Sequence, residues 1–486
     1  MPIKIKENLT WEEVSRIQLN AADLPGIYID EGLSRDYPFG PSMAHILGYV
    51  AAVNEKEAKQ DDDPLLQVPG FKIGKSGIEK RYEKELRGKG GSLKLEVNAY
   101  GRIMKEIEKN DGIPGQPLTL TIDSRLQQKA FELFGEESGA AVLLDVHTGE
   151  ILAFVSAPSF DPNMMTQGLS TEDWNALLHN ERNPLTDKAI SGQYSPGSTF
   201  KMIVALAALE AGVIKPETRT YCAGKMFLGN HAFHCWKKEG HGHLNVVEAL
   251  QHSCDIFFYE TAQKLGIEKI ADMARRFGLG SKINIGLENE KAGLIPDKEW
   301  KLRRFGEPWQ QGESLISGIG QGYILTTPLQ LATMTARLVN GGYEIKPTFL
   351  KVSDGEKSKI RKIDVSPTNL ELIKEGMYAV VNKPGGTAWR SQFDYHGQRM
   401  GGKTGTTQVR RITMKERREG IKKESELPWR LRNHALFVGY APHDNPKYAV
   451  AVLVEHGGGG SSVAAPLAGK ILREAVMLDP TREEVR

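Results

Sequence analysis

The pattern of apolar and polar residues predicts two β-hairpins that lie far apart in the chain. Residues 140–145 and 150–156 are apolar, β-branched runs, and the segment 147–149 between them has the composition of a tight turn. Residues 435–440 and 448–454 form a second pair of the same kind. We expect the two pairs to join in one sheet that is built from both ends of a single domain.

The chain between the two hairpins has mostly helical periodicity. Apolar residues recur at helical spacing in residues 200–209, 250–265 and 329–338, and residues 464–477 form a last amphipathic helix. A short strand is predicted over 118–122. This order predicts an α+β fold, in which an antiparallel sheet is flanked by helices and a helical lobe is inserted between its two halves.

The first part of the chain has a more irregular pattern. It contains a predicted helix at residues 77–86 and a half-buried strand at 93–97. It ends in the cluster 110–115, which is rich in Gly, Pro, Asn and Asp and therefore predicts a turn. We place the domain boundary there, so that the predicted domains are 1–115 and 116–486.

Composition excludes several classes of protein. The 486 residues are 40% hydrophobic and 26% charged, with a formal net charge of +2, as in a globular protein with an ordinary core. Nucleic acid is not an expected partner, since there is no basic domain and no recognisable reading motif. No apolar run reaches the ~18–20 residues that span a bilayer, and the N-terminus has no signal-peptide pattern. Either the protein is cytosolic or the chain lacks its original N-terminus.

The first candidate for chemistry is the motif Ser198-x-x-Lys201. Pro196 and Gly197 mark a turn and an apolar helical run follows, so Ser198 lies at a helix N-terminus with Lys201 one turn later. A serine hydroxyl is a poor nucleophile until a nearby base activates it, and a neutral lysine can be that base. The alternative interpretation is that Ser198 only caps the helix.

A second candidate is Ser253-Cys254-Asp255, which lies between helical segments. A hydroxyl and a carboxylate this close together can relay a proton to a leaving amine. The alternative interpretation is a polar helix terminus without a role in chemistry.

The third candidate is the glycine- and threonine-rich segment 401–407, just before a predicted strand. Lys403 supplies a positive charge, the hydroxyls of Thr404 and Thr406 suit a carboxylate, and Gly405 allows a close approach of a substrate to the backbone. A phosphate-binding loop is excluded because the spacing of Gly, Lys and Ser/Thr is wrong and no helix follows.

The three motifs are far more specific together than separately. Ser-x-x-Lys, Ser-x-Asn or Ser-x-Asp, and Lys-Thr-Gly in this order are typical of penicillin-binding proteins and class A β-lactamases. The chain resembles the class B penicillin-binding proteins, and among them the branch called penicillin-binding protein 2, in which Asp255 replaces the usual Asn. The resemblance is carried by residues 74–88, 120–127, 194–201, 236–242, 253–259, 318–322, 402–406 and 434–442.

The resemblance implies a penicillin-binding transpeptidase fold with an N-terminal elongated pedestal domain. It also implies a peptidoglycan D,D-transpeptidase of lateral cell-wall synthesis, which β-lactams inhibit covalently. Ser198 would be the acylated nucleophile and Lys201 its base. Ser253 would pass a proton to the leaving D-Ala amine, and Lys403 would tune that relay.

The resemblance implies a substrate pocket in the third motif. Thr404, Gly405 and Thr406 would bind the substrate, with the two hydroxyls holding its terminal carboxylate. Backbone N–H groups of Ser198 and Thr406 would form the oxyanion hole. Asp255 would orient its own segment.

The resemblance also implies a location and partners. Relatives begin with a cytoplasmic tail and a single membrane helix, so we expect a periplasmic domain of an inner-membrane single-pass protein whose anchor is absent from this chain. Expected ligands are peptidoglycan stem peptides and β-lactams, and no organic cofactor is implied. Expected partners are a membrane glycosyltransferase and a periplasmic scaffold of the rod-shape complex.

The three cysteines lie within one short stretch of the chain. Cys222, Cys235 and Cys254 with His241 form a complete tetrahedral zinc set, and a structural zinc would fix the second motif. Some relatives of this branch hold zinc beside the active site with mixed ligands. The alternatives are a Cys222–Cys235 disulfide or three unlinked thiols. Three other histidines are alternative ligands: His231, His234 and His243.

Other functions share these motifs. A D,D-carboxypeptidase would use the same acyl-enzyme with water as the acceptor. A β-lactamase or β-lactam sensor is also compatible, although a hydrolytic β-lactamase needs a positioned water base and the sequence suggests none. A non-catalytic scaffold is the remaining alternative.

Overall fold

The structure is a computed structural model that describes residues 5–7, 9–27, 29, 34–68, 70–99, 103–357, 359–410, 416 and 422–479. The chain divides into two compact units. The smaller unit comprises Met1–Thr119, Ser159–Leu185 and Gly286–Glu288, and the larger comprises Leu120–Pro158, Thr186–Ile285 and Asn289–Arg486. The division into a pedestal domain, 1–115, and a catalytic domain, 116–486, stays a prediction.

A five-stranded antiparallel sheet forms the centre of the larger unit. Its strands are β1 (Gly139–Asp145), β2 (Ile151–Ala157), β3 (Gly401–Thr407), β4 (His434–Ala441) and β5 (Tyr448–Val454). They are arranged in the order β3-β4-β5-β1-β2. The two predicted hairpins therefore join in one sheet, which confirms the α+β fold class, and β3 forms one edge.

Helices cover both faces of the sheet. Helix α1 (Ser124–Glu132) and the C-terminal helix, Ala465–Met477, pack on one face, in an apolar cluster that includes Phe437 and Val452. Helix Pro328–Val339 packs against β1, β4 and β5 and is not a member of that cluster, so it covers the opposite face. Burial on both faces explains why β1, β2, β4 and β5 are continuous apolar runs instead of alternating ones.

Three helices carry or support the motifs. Helix α2 (Lys201–Glu210) follows a 3-10 turn at Gly197–Phe200, and α3 (Val246–Gln251) is separated by a short break from α4 (Asp255–Leu265). Both α3 and α4 contact α2, and the 3-10 turn contacts β3. The fold thereby brings together three motifs that are far apart in the sequence.

The remaining regular elements of the larger unit are short strand pairs and helices. The strand pairs are Thr220–Cys222 with Gly242–Leu244, Lys225–Leu228 with His231–His234, and Asp394–Tyr395 with Gln398–Arg399. The helices are Ile267–Arg276, Lys298–Phe305, Gln311–Gly318, Asp354–Lys357 and Pro367–Asn382, with 3-10 turns at Trp389–Ser391, Glu424–Glu426 and Trp429–Leu431 and a π-helical turn at Gly460–Ala464.

The smaller unit is built from short elements and charged contacts. The Arg87 side chain, only 5% exposed, forms ion pairs of 3.0–3.1 Å with Asp61, Asp63 and Glu83. The strand pairs are Val50–Ala52 with Lys72–Gly74 and Ser92–Val97 with Ile103–Asn110. The helices are Trp11–Leu19, Ala44–Leu47, Glu55–Ala58, Gly77–Arg81, Glu83–Arg87, Pro162–Gln167 and Thr171–Leu178, with 3-10 turns at Ala21–Asp23, Gly40–Ser42 and Pro64–Gln67. In the described part of the chain, none of the helices has the length and apolar character required to cross a membrane.

Two predicted elements near the domain boundary are wrong. The helix predicted over 77–86 is two short helices that are interrupted at Tyr82. The strand predicted over 118–122 is an isolated bridge between Leu120 and Leu350. An apolar run becomes a strand only where a partner continues alongside it, and this run has a partner at a single position.

Two further differences fall within the motifs. The helix predicted over 250–265 is broken at Ser253, whose φ of +53° lies in the left-handed region that a helix cannot include. Residues 401–407, predicted to precede a strand, are themselves the edge strand β3. Both differences place motif residues at irregular or edge positions, where side chains and backbone can meet a substrate.

Candidate active site

Ser198 lies in a tight turn that is held by its backbone. Gly197 has a φ of +54°, its N–H donates to the Gly320 carbonyl at 2.9 Å, and a Cβ at Gly320 would lie 2.1 Å from the Gly197 carbonyl oxygen. Only glycines allow this approach. Ser198 is half-buried while Gly197 and Thr199 are buried, so the turn presents Ser198 and hides its neighbours.

Lys201 is fully buried, and its amine is surrounded by acceptors. Its Nζ donates to the Ser253 carbonyl at 2.9 Å, the Ser253 Oγ at 3.3 Å and the Asp255 Oδ1 at 2.7 Å. An ammonium has three N–H donors, so these three acceptors use all of them. The second motif therefore surrounds the Lys201 amine with three hydrogen-bond acceptors, one of which is the Asp255 carboxylate.

Asp255 connects Lys201 to a neighbouring segment. Its Oδ2 accepts the backbone N–H of Trp236 at 2.9 Å, while its Oδ1 accepts from Lys201. A carboxylate can accept at both oxygens, whereas an Asn would turn an NH₂ donor towards one of these two donors. This arrangement gives a physical reason for an aspartate at position 255.

Lys403 is the second buried amine of the site. It projects from β3, is 0% exposed, and its Nζ donates to the Thr404 carbonyl at 3.2 Å. Burial, reinforced by the charge of Lys201, lowers the pKa of Lys403 well below its ordinary value. Lys201 and Lys403 therefore differ: Lys201 forms an ion pair with Asp255, whereas the lowered pKa of Lys403 favours its neutral form.

The threonines of the third motif have separate partners. The Thr404 and Thr387 hydroxyl oxygens lie 2.7 Å apart, and the Thr406 hydroxyl accepts the backbone N–H of Gly460 at 3.2 Å. Thr406 is exposed and Thr404 is 6% exposed. Gly405 lies between them on β3, where a Cβ would come within 2.9 Å of the Thr199 side chain. The edge strand and the turn that carries Ser198 thus pack closely because this position is glycine.

The four predicted zinc ligands come together beside the second motif. One ligand atom from each of Cys222, Cys235, His241 and Cys254 lies within 4.8 Å of all the others. The Nδ1 of His241 is 3.6 Å from the sulfurs of both Cys222 and Cys235. In a tetrahedral zinc site with Zn–S of about 2.3 Å and Zn–N of about 2.1 Å, the S···N edge is also about 3.6 Å. These residues therefore fit a zinc ion.

The chemical state of the cysteines agrees with this fit. All three are free and buried, so the predicted alternative of a Cys222–Cys235 disulfide is absent from the structure. The hydrogen bond with Cys254 lowers the pKa of Cys235 and favours its thiolate, whereas the same contact raises the pKa of Cys254 and burial raises that of Cys222. Among the described side chains, the alternative ligands are not members of the cluster: His231, His234 and His243.

Three contributors to the site have no role assigned from the sequence, although two of them lie in segments that carry the family resemblance. The backbone N–H of Trp236 binds Asp255, the Gln321 side chain donates to the Thr406 carbonyl at 3.3 Å, and Thr387 meets Thr404. Gln321 lies in a Gly-x-Gly segment, and Thr387 follows a Gly-Gly pair. Glycine-rich turns in an otherwise helical region are therefore the signal that could have identified two of the three.

Two known protein families match this chain, and together they cover most of its length. The description "Penicillin binding protein transpeptidase domain" matches residues 139–473, and "Penicillin-binding Protein dimerisation domain" matches residues 1–120. The peptidoglycan D,D-transpeptidase MrdA of Haemophilus influenzae is 38% identical over 488 residues, which cover 97% of this chain and 74% of that protein.

Solved structures give the same relationship. The complex between penicillin-binding protein PBP2 and MreC from Helicobacter pylori has a TM-score of 0.85 at 32% identity, covering 96% of this chain and 84% of that chain. Pseudomonas aeruginosa PBP2 in complex with WCK 5153 has a TM-score of 0.78 at 38% identity, covering 93% and 92%. The predicted transpeptidase fold is thereby confirmed. This chain belongs to the penicillin-binding proteins, with both the transpeptidase and the dimerisation domain of that family.

Proposed function

We propose that this protein is a peptidoglycan D,D-transpeptidase that acts through an acyl-enzyme on Ser198. The Ser198 oxygen attacks the carbonyl carbon of the D-Ala-D-Ala peptide bond, an ester forms, the C–N bond breaks, and D-Ala leaves with a proton on its amine. An amine of a second stem peptide then attacks the ester, forms the cross-link and returns the Ser198 hydroxyl. The observation that carries this proposal is that the buried Lys201 and Lys403 lie on elements that contact the turn of the half-buried Ser198, with Ser253 bonded to Lys201.

The two lysines have different resting states, which bears on the proton transfers. The family resemblance implies that Lys201 is the base, and that role stays a prediction. Lys201 has all its donors in use at Ser253 and Asp255, whereas the lowered pKa of Lys403 favours a neutral amine. The arrangement favours Lys403 as the group that accepts the Ser198 proton, while Ser253 delivers its own proton to the leaving amine and regains one from the protonated Lys403.

The substrate sits along β3 in this proposal. Thr404 and Thr406 hold the terminal carboxylate of the stem peptide through their hydroxyl groups, and Gly405 allows the close approach. Backbone N–H groups of Ser198 and Thr406 stabilise the oxyanion, a contribution that is typically about 3–4 kcal/mol per donor. β-Lactams would enter the same pocket and acylate Ser198.

A structural zinc is part of the proposal, and no organic cofactor is. Cys222, Cys235, His241 and Cys254 would hold it, and the ion would supply a rigid tetrahedral anchor and no reacting group. Cys254 immediately precedes Asp255, and the Asp255 N–H lies 3.4 Å from the Cys235 sulfur. The chain's own thiols therefore keep the segment that binds Lys201 in place.

Location and partners follow from the relatives. We propose a periplasmic catalytic domain that belongs to an inner-membrane protein, with residues 1–115 as the pedestal and 116–486 as the catalytic domain. The Helicobacter pylori relative was solved with MreC, which supports a periplasmic scaffold of that kind as a partner. A membrane glycosyltransferase of the rod-shape complex is the second proposed partner.

The test uses labelled penicillin followed by an acceptor-strand assay. A transpeptidase forms a long-lived penicillin adduct and produces cross-linked dimers from a stem-peptide donor and an acceptor amine. Release of D-Ala without dimers would indicate a D,D-carboxypeptidase, rapid turnover of penicillin a β-lactamase, and a stable adduct without reaction on peptide a sensor. The absence of labelling and of D-Ala release would leave only a non-catalytic scaffold.

A further inference from the structure

The hydroxyl of Thr387 is the closest polar neighbour that the structure gives to the Thr404 hydroxyl, at 2.7 Å. Thr387 lies outside all three motifs, in the turn that follows helix Pro367–Asn382. Thr404 is only 6% exposed, so few groups can reach its hydroxyl. The fold therefore supplies the Thr387 hydroxyl, and not a solvent molecule, as the hydrogen-bond partner of Thr404.

Hydrogen bonds with Gln251 and His252 hold the Thr387 turn beside the second motif. The Gln251 side chain donates to the Pro384 carbonyl at 2.9 Å, and the Thr387 N–H donates to the Gln251 carbonyl at 3.3 Å. A ring nitrogen of His252 lies 3.1 Å from the Gly385 carbonyl. Because these contacts join the turn to the residues just before Ser253, Thr387 has a fixed position relative to both motifs.

The direction of the Thr387–Thr404 hydrogen bond decides what Thr404 can bind. Each hydroxyl carries one proton, so a Thr404 that donates to Thr387 has none left for a substrate. A carboxylate only accepts hydrogen bonds, and it must therefore receive the Thr404 proton. This is possible only when Thr387 donates to Thr404.

We propose that Thr387 is a positioning residue that donates to Thr404 and so directs the Thr404 O–H at the terminal carboxylate of the substrate. The inference rests on the proposed function, since it assumes that Thr404 binds this carboxylate. Thr387 itself touches no reacting atom. Its effect is on recognition of the carboxylate and not on the chemistry at Ser198.

The test compares a ligand that has the carboxylate with one in which it is blocked. Benzylpenicillin and its methyl ester are used to measure the second-order acylation rate constant of the wild-type chain and the variants Thr387→Val, Thr387→Ser and Thr404→Val. Val keeps the shape of Thr without the hydroxyl, and Ser keeps the hydroxyl. Thermal unfolding of each variant accompanies the kinetics.

We expect Thr387→Val to lower the acid-to-ester ratio of rate constants about 5–10-fold, the effect of one net hydrogen bond. The loss falls on the binding constant and not on the acylation step, because the carboxylate is held equally before and during reaction. Thr387→Ser restores the ratio to within about twofold, and Thr404→Val lowers it at least as much as Thr387→Val.

Three results would overturn the inference, and they distinguish a failure of the Thr387 role from a failure of the proposed carboxylate pocket. If Thr404→Val lowers the ratio and Thr387→Val does not, or if Thr387→Val slows acid and ester equally, Thr387 has no positioning role and the proposed carboxylate pocket stands. If Thr404→Val leaves the ratio unchanged, the carboxylate pocket of the proposed function is wrong and the role of Thr387 falls with it.

Discussion

The two sides of the active site are held in place by different kinds of contact. On the sheet side, β3 pairs with β4 along its whole length, from Gly401 opposite Tyr440 to Thr407 opposite His434. On the helical side, Ser253 lies in a left-handed break between two helices, and side-chain contacts of Lys201 and Asp255 hold it there. Backbone hydrogen bonds therefore hold the sheet side in place, and a small number of side-chain hydrogen bonds hold the helical side.

This difference determines which substitutions each side tolerates. Backbone pairing survives most changes of side chain and fails where an added Cβ would collide with a neighbour. A buried polar network fails when one donor or acceptor is replaced, because the remaining partners stay buried without hydrogen bonds. Single polar substitutions should therefore have their largest effects on the helical side. Lys403 is the exception on the sheet side, because its proposed role is proton transfer.

The largest effect is expected for Lys403→Ala. Loss of a general base lowers the acylation rate about 10²–10⁴-fold. In the wild-type chain the neutral amine is required, so the rate falls as pH drops through the lowered pKa of Lys403 and reaches its plateau well below pH 10.5. Acylation by a fluorescent penicillin between pH 5 and 10 measures both effects. A pH limb that persists unchanged in Lys403→Ala would contradict the assignment.

Asp255→Asn should be the next largest change, with acylation reduced about 10–100-fold. The substitution removes the ionic partner of Lys201 and sets an NH₂ donor against either Lys201 or the Trp236 N–H. Asp394→Asn is the matched control, since Asp394 forms an exposed ion pair with Arg399. The control should stay within about twofold of the wild-type rate. Equal rates in the two variants would show that the Asp255 bridge is not needed.

Removal of the proposed zinc should have an intermediate effect. Elemental analysis of protein purified without added metal should give one zinc per chain, and Cys222→Ser should lose it. Since the cluster anchors Cys254 beside Asp255, we expect metal loss to lower Tm and to slow acylation about tenfold. Zinc-free protein with unchanged Tm and acylation rate would contradict a structural metal.

On the sheet side, Gly402→Ala should affect stability more than activity. A Cβ at Gly402 would lie 2.2 Å from the Phe437 ring and 2.6 Å from the Val438 carbonyl oxygen. We expect a loss of about 1–3 kcal/mol in the free energy of unfolding, with acylation per folded molecule within about threefold. Gly355→Ala is the control, because no atom lies within 4 Å of its added Cβ. Denaturant unfolding measures the free energy of unfolding of both variants, and acylation by a fluorescent penicillin measures their activity.

The sequence predicted those parts of the fold that depend on local pattern. Strands β1, β2, β4 and β5 are apolar runs bounded by turns, and Ser198 precedes an apolar helix, so these features can be recognised in the sequence. The break at Ser253 was not predictable, because serine has no preference for a positive φ and tertiary contacts impose it. The Thr387–Thr404 contact also depends on how distant segments pack.

The cysteine cluster shows the same division. Its four members were predicted from residue type and spacing, because few chemistries use three thiols and an imidazole together. The ion pair of Lys201 with Asp255 was missed, since the motifs give the identities of the residues and not the direction in which each side chain donates. The hydrogen bonds of Lys201 and the burial of Lys403 are properties of the assembled site, and together they distinguish the two lysines.

The central claim is tested most directly by mass spectrometry of the protein after incubation with benzylpenicillin. The account predicts one covalent adduct per chain, located by peptide mapping on Ser198, and no adduct in folded Ser198→Ala protein. An adduct on another residue, or a stable adduct in Ser198→Ala, would contradict it.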